Sequence, residues 1–240
     1  MSALGHYLEE AGIAAVAIAL IRPQVEKTRP PRALWVPFEL GRPIGPPSDP
    51  AFQKRVVTTA LGMLVEGGGP VRIYDFPDDD PREAPDPAWR APVARAPLPA
   101  ETAPLAEAVE AELLALAPTY AAGCVARGRS TVGLSGLPPA TCGGYFTAWL
   151  RGERPASPIA DMSPALALRF AIDDLKAFAL EAALAPGTRP SSAQLGDWLW
   201  NETALGAAIQ ALRRDFLAGD DERLKQVAFF FVPTLRVPAG

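Results

Sequence analysis

The sequence predicts an α/β fold: a small open, mainly parallel sheet with flanking helices, followed by a largely helical C-terminal part. Three observations carry this. Short apolar runs alternate with helix-period segments up to Phe76, proline and Asp78-Asp79-Asp80 then interrupt every regular pattern, and long segments of 3.6-residue period fill the rest. The expected division is an α/β unit over 1–76, a Pro-rich linker or arm over 77–100, and a mainly helical part over 101–240 packed on the first.

Leu4, Tyr7, Leu8 and Ala11 lie at helical spacing, and Gly12 follows as a stop. Ile13 to Leu20 is short and apolar throughout, so it reads as a strand buried on both faces. A short helix from Pro23 to Lys27 leads to a second strand, Ala33 to Pro37. Ser48 caps the next helix, with Asp49 and Pro50 in its first turn. Its face is Phe52, Val56, Val57, Ala60, Leu61 and Leu64, and Gly67 to Gly69 end it before a third strand, Val71 to Phe76.

In the C-terminal part, Glu101 to Ala126 reads as a helix interrupted at Pro118, and Thr131 to Ser135 as a short strand. Pro138 and Pro139 introduce a helix running through Phe146, Trp149 and Leu150. A helix from Pro164 to Leu184 is apolar on nearly every face, and another runs from Ser191 or Ser192 to about Ala218. Val227 to Val232 is either a further strand or a buried tail.

Composition excludes more than it assigns. Lys+Arg 23 against Asp+Glu 27 gives a formal charge of -4 with no basic footprint, so no nucleic acid is expected as a partner. One histidine, His6, and two cysteines, Cys124 and Cys142, leave no zinc or iron ligand set, and neither metal nor cofactor is expected. Two cysteines make no disulfide framework, which suits a reducing, cytoplasmic setting. The longest unbroken apolar run, Ile13 to Ile21, is too short to span a bilayer and is preceded by Glu9 and Glu10 rather than a basic region. No membrane partner is expected.

Ligands of open parallel sheets bind beyond the carboxyl ends of the strands. The segment Pro37 to Pro47 falls there, with four prolines and two glycines in eleven residues. Such a backbone holds Glu39 and Arg42 at low entropic cost, with Gly45 at its far turn. The structural alternative is a rigid turn whose Arg42 and Glu39 pair with each other or with solvent.

Leu8-Glu9-Glu10-Ala11-Gly12-Ile13, the loop Trp35 to Pro47, and Gln53-Lys54-Arg55-Val56-Val57 together resemble one known pattern. It is that of the B component of glycine, sarcosine, betaine and D-proline reductases and their short bacterial relatives. In that family a helix is followed by an E-x-x-G-I-P-T-V strand entry, where this sequence continues Ala14-Ala15-Val16 after Ile13, then by a P-x-G-x-P-x-G-x-P type loop and a helix beginning near Q-R/K-x-I-V. The resemblance covers residues 4 to 66, about a quarter of the chain. It implies a small substrate at the Glu39, Arg42 and Gly45 loop and a thiol-dependent reductase complex. The family's redox U/C-x-x-C segment lies just ahead of its first helix, where this sequence has Met1, Ser2 and Ala3. Three explanations are open: the chain is a non-catalytic relative, its start has been lost, or a Cys-x-x-Cys-bearing partner subunit supplies the thiol, the last being the expectation carried forward.

Further candidates lie in the helical part. Cys142 sits near a helix start, where the peptide dipoles lower a thiol pKa, and it is the candidate nucleophile if this chain acts alone. A packing cysteine beside Gly143 and Gly144 is the structural alternative. Asp174 and Glu181, seven apart among Phe170 and Phe178, need donors, whereas Arg169, Asp173 and Lys176 are spaced to neutralise one another. Trp198 and Glu202 share a face and are expected in the core with Lys176 or Arg169 as partner. Asp174, Trp198 and Glu202 are thus candidate substrate-binding residues. Three readings follow: a substrate- or partner-binding subunit of a reductase complex, a non-enzymatic assembly subunit, or an independent enzyme using Cys142 or the helical carboxylates.

Overall fold

In the computed structural model, which describes residues 2–65, 71–93, 102–184 and 187–233, three strands form one sheet. They are Ala17–Ala19 (β1), Arg32–Trp35 (β2) and Arg72–Asp75 (β3), in the order β1-β2-β3 with both pairs parallel. The sheet belongs to the first of two units, Met1–Ala84 and Pro85–Gly240.

Helix α1 (Ser2–Glu10) ends where Gly12 turns left-handed at φ 79° and the Ile13 N–H returns to the Leu8 carbonyl. A strand over Ile13 to Leu20, buried on both faces, is not what forms. β1 is three residues, half-buried, and on the sheet edge, because the Ala15 N–H is taken by the Glu9 carboxylate (2.8 Å) before pairing begins. Helix α2 (Arg22–Thr28) then leads into β2, and helix α3 (Pro50–Val65) into β3. Asp49, not Ser48, caps α3: its Oδ1 accepts the Phe52 N–H at 3.0 Å, with Pro50 opening the helix. The expected stop at Gly67 to Gly69 lies outside the described residues.

Residues two apart on a strand share a face. Leu34 and Val36 accordingly pack with Phe38, Phe52, Val56, Ala60, Met63 and Phe76 in one cluster. The rings of Phe38, Phe52 and Phe76 meet edge-on or tilted at centroid distances of 5.5 to 5.9 Å.

The second unit is helical: α4 (Thr102–Arg127), α5 (Pro139–Leu150), α6 (Pro164–Ala182), α7 (Ser192–Glu202), α8 (Ala204–Ala218) and α9 (Glu222–Ala228). Helix α6 is central and packs on α4, α5, α7 and α9. Its Leu168, Ile172, Leu175 and Phe178 are buried, and each contributes about 1.5–3 kcal/mol. The Arg169–Asp173 (3.8 Å) and Lys176–Asp173 (2.7 Å) pairs form at the i,i+4 and i,i+3 spacings the sequence predicts.

Three expectations are corrected here, and one alternative is resolved. Pro118 does not interrupt α4, because it lies on an exposed turn among alanines, where the carbonyl it leaves unbonded reaches water. Thr131 to Ser135 is not a strand. The helix expected from Ser191 to Ala218 is two, broken at Thr203, whose Oγ1 donates to the Leu199 carbonyl (2.6 Å) and accepts the Gly206 N–H (2.9 Å). Val227 to Val232 forms no strand: Val227 and Ala228 close α9, Phe229 and Phe230 are exposed on the turn that follows, and Phe231 and Val232 are buried.

The proline-rich segment is divided between the units. Asp78 pairs with Arg55 in the first. In the second, Asp86 accepts the Arg189 N–H (2.7 Å), and the Trp89 Nε1–H donates to the Ala183 carbonyl (2.9 Å). Over Pro104–Arg127, α4 is also long and apolar enough to cross a membrane by length and composition. A search for unbroken apolar runs misses it, because Glu107, Glu110 and Glu112 fall in its first half.

Candidate functional site

The carboxyl edge of the sheet carries the Pro37 to Pro47 loop. The Arg42 N–H bonds the Glu39 carbonyl (3.0 Å) and the Gly45 N–H bonds the Arg42 carbonyl (3.0 Å), so two consecutive turns fix the backbone. Gly41 and Gly45 have φ of 95° and 88°, a region where glycine is preferred. At Gly45 space is also short, since a Cβ would lie 2.5 Å from the Phe52 ring. Gln53 Nε2 ties the loop to α3 through the Pro46 carbonyl at 2.7 Å.

Arg42 pairs with neither Glu39 nor solvent alone. Its Nη1 lies 3.4 Å from Glu83 Oε1 and 3.6 Å from Oδ2 of the buried Asp80, while its side chain stays 41% exposed. Glu39 is exposed. Arg22, beyond β1, bonds Asp75 at 2.7 Å and lies over the Trp35 ring at 5.5 Å, a second fixed cation at this edge that sequence reasoning missed. Its signal was its place at the start of the helix that follows β1.

In the helical unit, two candidates converge on one segment, the non-helical stretch 128–138 between α4 and α5. Asp174, 1% exposed, accepts the N–H groups of Gly133 (2.8 Å), Leu134 (2.9 Å) and Ser135 (2.9 Å) and the Ser135 hydroxyl. Burial alone would raise this carboxyl, but the Ser135 hydroxyl and the three backbone donors outweigh it and hold it below the ordinary range. One turn-pair further on, Glu181 accepts the Thr131 N–H (2.6 Å) and hydroxyl (2.7 Å) and pairs with Arg127 (3.0 Å), and it too is lowered against its burial. These bonds explain why 131 to 135 is no strand: four of its five N–H groups are spent on carboxylates of α6, and that of Val132 on the Ser130 hydroxyl.

Ser135 Oγ also lies 3.4 Å from Cys142 Sγ, so Cys142, Ser135 and Asp174 are in line. The surroundings of the thiol oppose the activation expected from its place near a helix start. Cys142 is fully buried, burial pushes its pKa up, and the nearby Asp174 charge adds to that, outweighing the Ser135 contact. We expect native Cys142 to resist iodoacetamide and to react only on unfolding; mass-spectrometric labelling with and without urea checks this.

Trp198 is in the core, as expected, and its indole N–H has no partner among the described residues. Glu202 is half-buried, and the basic groups expected for it are engaged elsewhere: Lys176 and Arg169 on Asp173, Lys176 also on the Phe231 carbonyl, and Arg169 over the Phe230 ring. Asp174, Trp198 and Glu202 are therefore not one cluster joined by Lys176.

The carboxylate that sequence reasoning missed is Glu112 of α4, whose two oxygens accept the Ala204 (2.7 Å) and Leu205 (3.0 Å) N–H groups at the start of α8. Burial raises its pKa in spite of those bonds. A carboxyl raised on folding weakens stability as pH rises through its folded value. Relative to wild type, Glu112→Gln should thus gain stability between pH 4 and pH 7, as read by urea unfolding at both.

Among the described residues no group of three or more His, Cys, Asp or Glu gathers to hold a metal. Compared with known protein families, with curated proteins and with solved structures, the chain matches none.

Proposed function

We propose that the chain is a binding subunit of a thiol-dependent, glycine/D-proline-reductase-like complex in the cytoplasm, presenting the Glu39 to Gly45 loop to a small substrate or to a Cys-x-x-Cys-bearing partner while the partner supplies the redox thiol. The observation that carries this is Arg42: a half-exposed guanidinium on a doubly turned, ring-braced loop at the carboxyl edge of a parallel sheet. The burial of Cys142 supports the assignment of the thiol to another chain, because a nucleophile must be both accessible and ionised. The sequence resemblance supports the kind of complex.

A second reading, an assembly subunit whose loop is kept for structure alone, is favoured by one observation: Asp80 and Glu83 already hold Arg42. Arg42→Ala separates the two. Removing the guanidinium takes a partner from the buried Asp80 carboxylate as well as from Glu83, so stability should fall by about 1–3 kcal/mol. On the binding reading, affinity for substrate or partner falls by about 1.5–3 kcal/mol with the loss of a charge-assisted contact. Unchanged complex formation and unchanged turnover in a stably folded Arg42→Ala chain would leave only the assembly reading.

A further inference from the structure

The helical unit contains a cavity of about 390 Å³ between α4 and α5, lined by Leu113, Leu114, Ala117, Gly143 and Gly144 among others, with Phe178 of α6. Its size is that of a small-molecule site. Two consecutive glycines in a helix interior are unfavourable, and each calls for a reason. Gly143 has one, since a Cβ there would lie 2.7 Å from Leu113 Cδ1 and that side chain would have to shift. Gly144 has no such reason: a Cβ there meets nothing within 4 Å, and the missing side chain leaves open space along the cavity wall.

The lining holds a single charged residue, Glu110. Its Oε1 is held by the Thr147 hydroxyl (2.9 Å) and by Arg151 Nη2 (2.8 Å), which fixes the carboxylate, and Oε2 has no hydrogen-bond partner among the described residues. The Arg151 and Thr147 bonds also hold the group below the ordinary carboxylate range, so it is anionic at neutral pH. An apolar cavity with one oriented carboxylate at its wall is complementary to an apolar body bearing one cationic donor.

We propose that the α4/α5 cavity binds a small aliphatic or aromatic amine, its apolar body lying against Gly144 and Phe178 and its ammonium group donating to Glu110 Oε2. Nothing in this depends on the loop of the first unit. The test is titration of the full chain at pH 7 with hexylamine, hexanol and hexanoate, followed by NMR at the Gly143 and Gly144 amides.

Hexylamine is expected to bind about tenfold or more tightly than hexanoate. Glu110→Gln should remove that preference and leave hexanol binding unchanged. Gly144→Leu, and independently Ala140→Leu at another exposed lining position, should abolish binding of all three while melting no lower than wild type. Hexanoate binding as tightly as hexylamine would make Arg151 the anchor and overturn the proposal. So would a preference that survives Glu110→Gln, binding unaffected by either leucine, or no response to any of the three probes.

Discussion

Replacing Asp174 by alanine is expected to destabilise the helical unit by about 3–5 kcal/mol. The carboxylate satisfies three consecutive backbone N–H groups and the Ser135 hydroxyl, with 1% of the residue exposed. Alanine removes every acceptor at once and leaves donors that water reaches poorly. Asp174→Asn should fall between wild type and alanine: its amide oxygen still accepts, but its NH2 faces donors. The sign of the pH dependence is fixed by the lowered carboxyl. A group whose folded pKa lies below its unfolded value contributes stability that is present above the ordinary carboxylate range and lost as pH falls through it. The deficit of Asp174→Asn should therefore shrink below about pH 4, and urea unfolding from pH 7 down to pH 3 measures it. An Asp174→Ala chain as stable as wild type would mean that residues 131 to 135 hold their course without α6.

The second large effect is expected at Gly45. Alanine there meets the Phe52 ring at 2.5 Å and must also adopt φ 88°. Overpacking costs about 1–3 kcal/mol and the left-handed backbone about 1–2, so a loss of about 2–5 kcal/mol follows. Gly41 is the internal control. Its φ is 95°, but nothing lies within 4 Å of its Cβ position, so Gly41→Ala bears the backbone term alone. The difference between the two variants isolates the contact of loop and ring. Equal losses would show that the aromatic cluster does not brace the Arg42 loop.

These residues also show what was legible in the sequence. The parallel sheet was, because Ala33 and Leu34 are both fully buried and a strand covered on both faces must be apolar on both. The extent of β1 was not: Ile13 to Val16 are as apolar as a strand, but the Glu9 carboxylate takes the Ala15 N–H, a contact no hydropathy pattern carries. That Asp174 and Glu181 needed donors was legible from their seven-residue spacing on an apolar helix. Which donors they found was not, for they are backbone groups some 40 to 50 residues away in chain order. Thr131-Val132 looks like a strand because both side chains are β-branched. The cap at Thr203 was not legible, because the apolar period runs through it and conceals the break. At Cys142 the place near a helix start was read correctly, but burial, which sequence does not display, is the largest influence on the thiol.

The claim that this chain binds while another supplies the thiol is tested most directly by purifying the native complex and measuring dithiol-dependent turnover of glycine, sarcosine, betaine and D-proline. Wild type is compared with a chain carrying Cys124→Ala and Cys142→Ala, and mass spectrometry identifies what co-purifies. The account predicts a Cys-x-x-Cys-bearing partner and equal turnover for the two chains. Turnover by the chain purified alone, or turnover lost with Cys142→Ala in a folded chain, would contradict it.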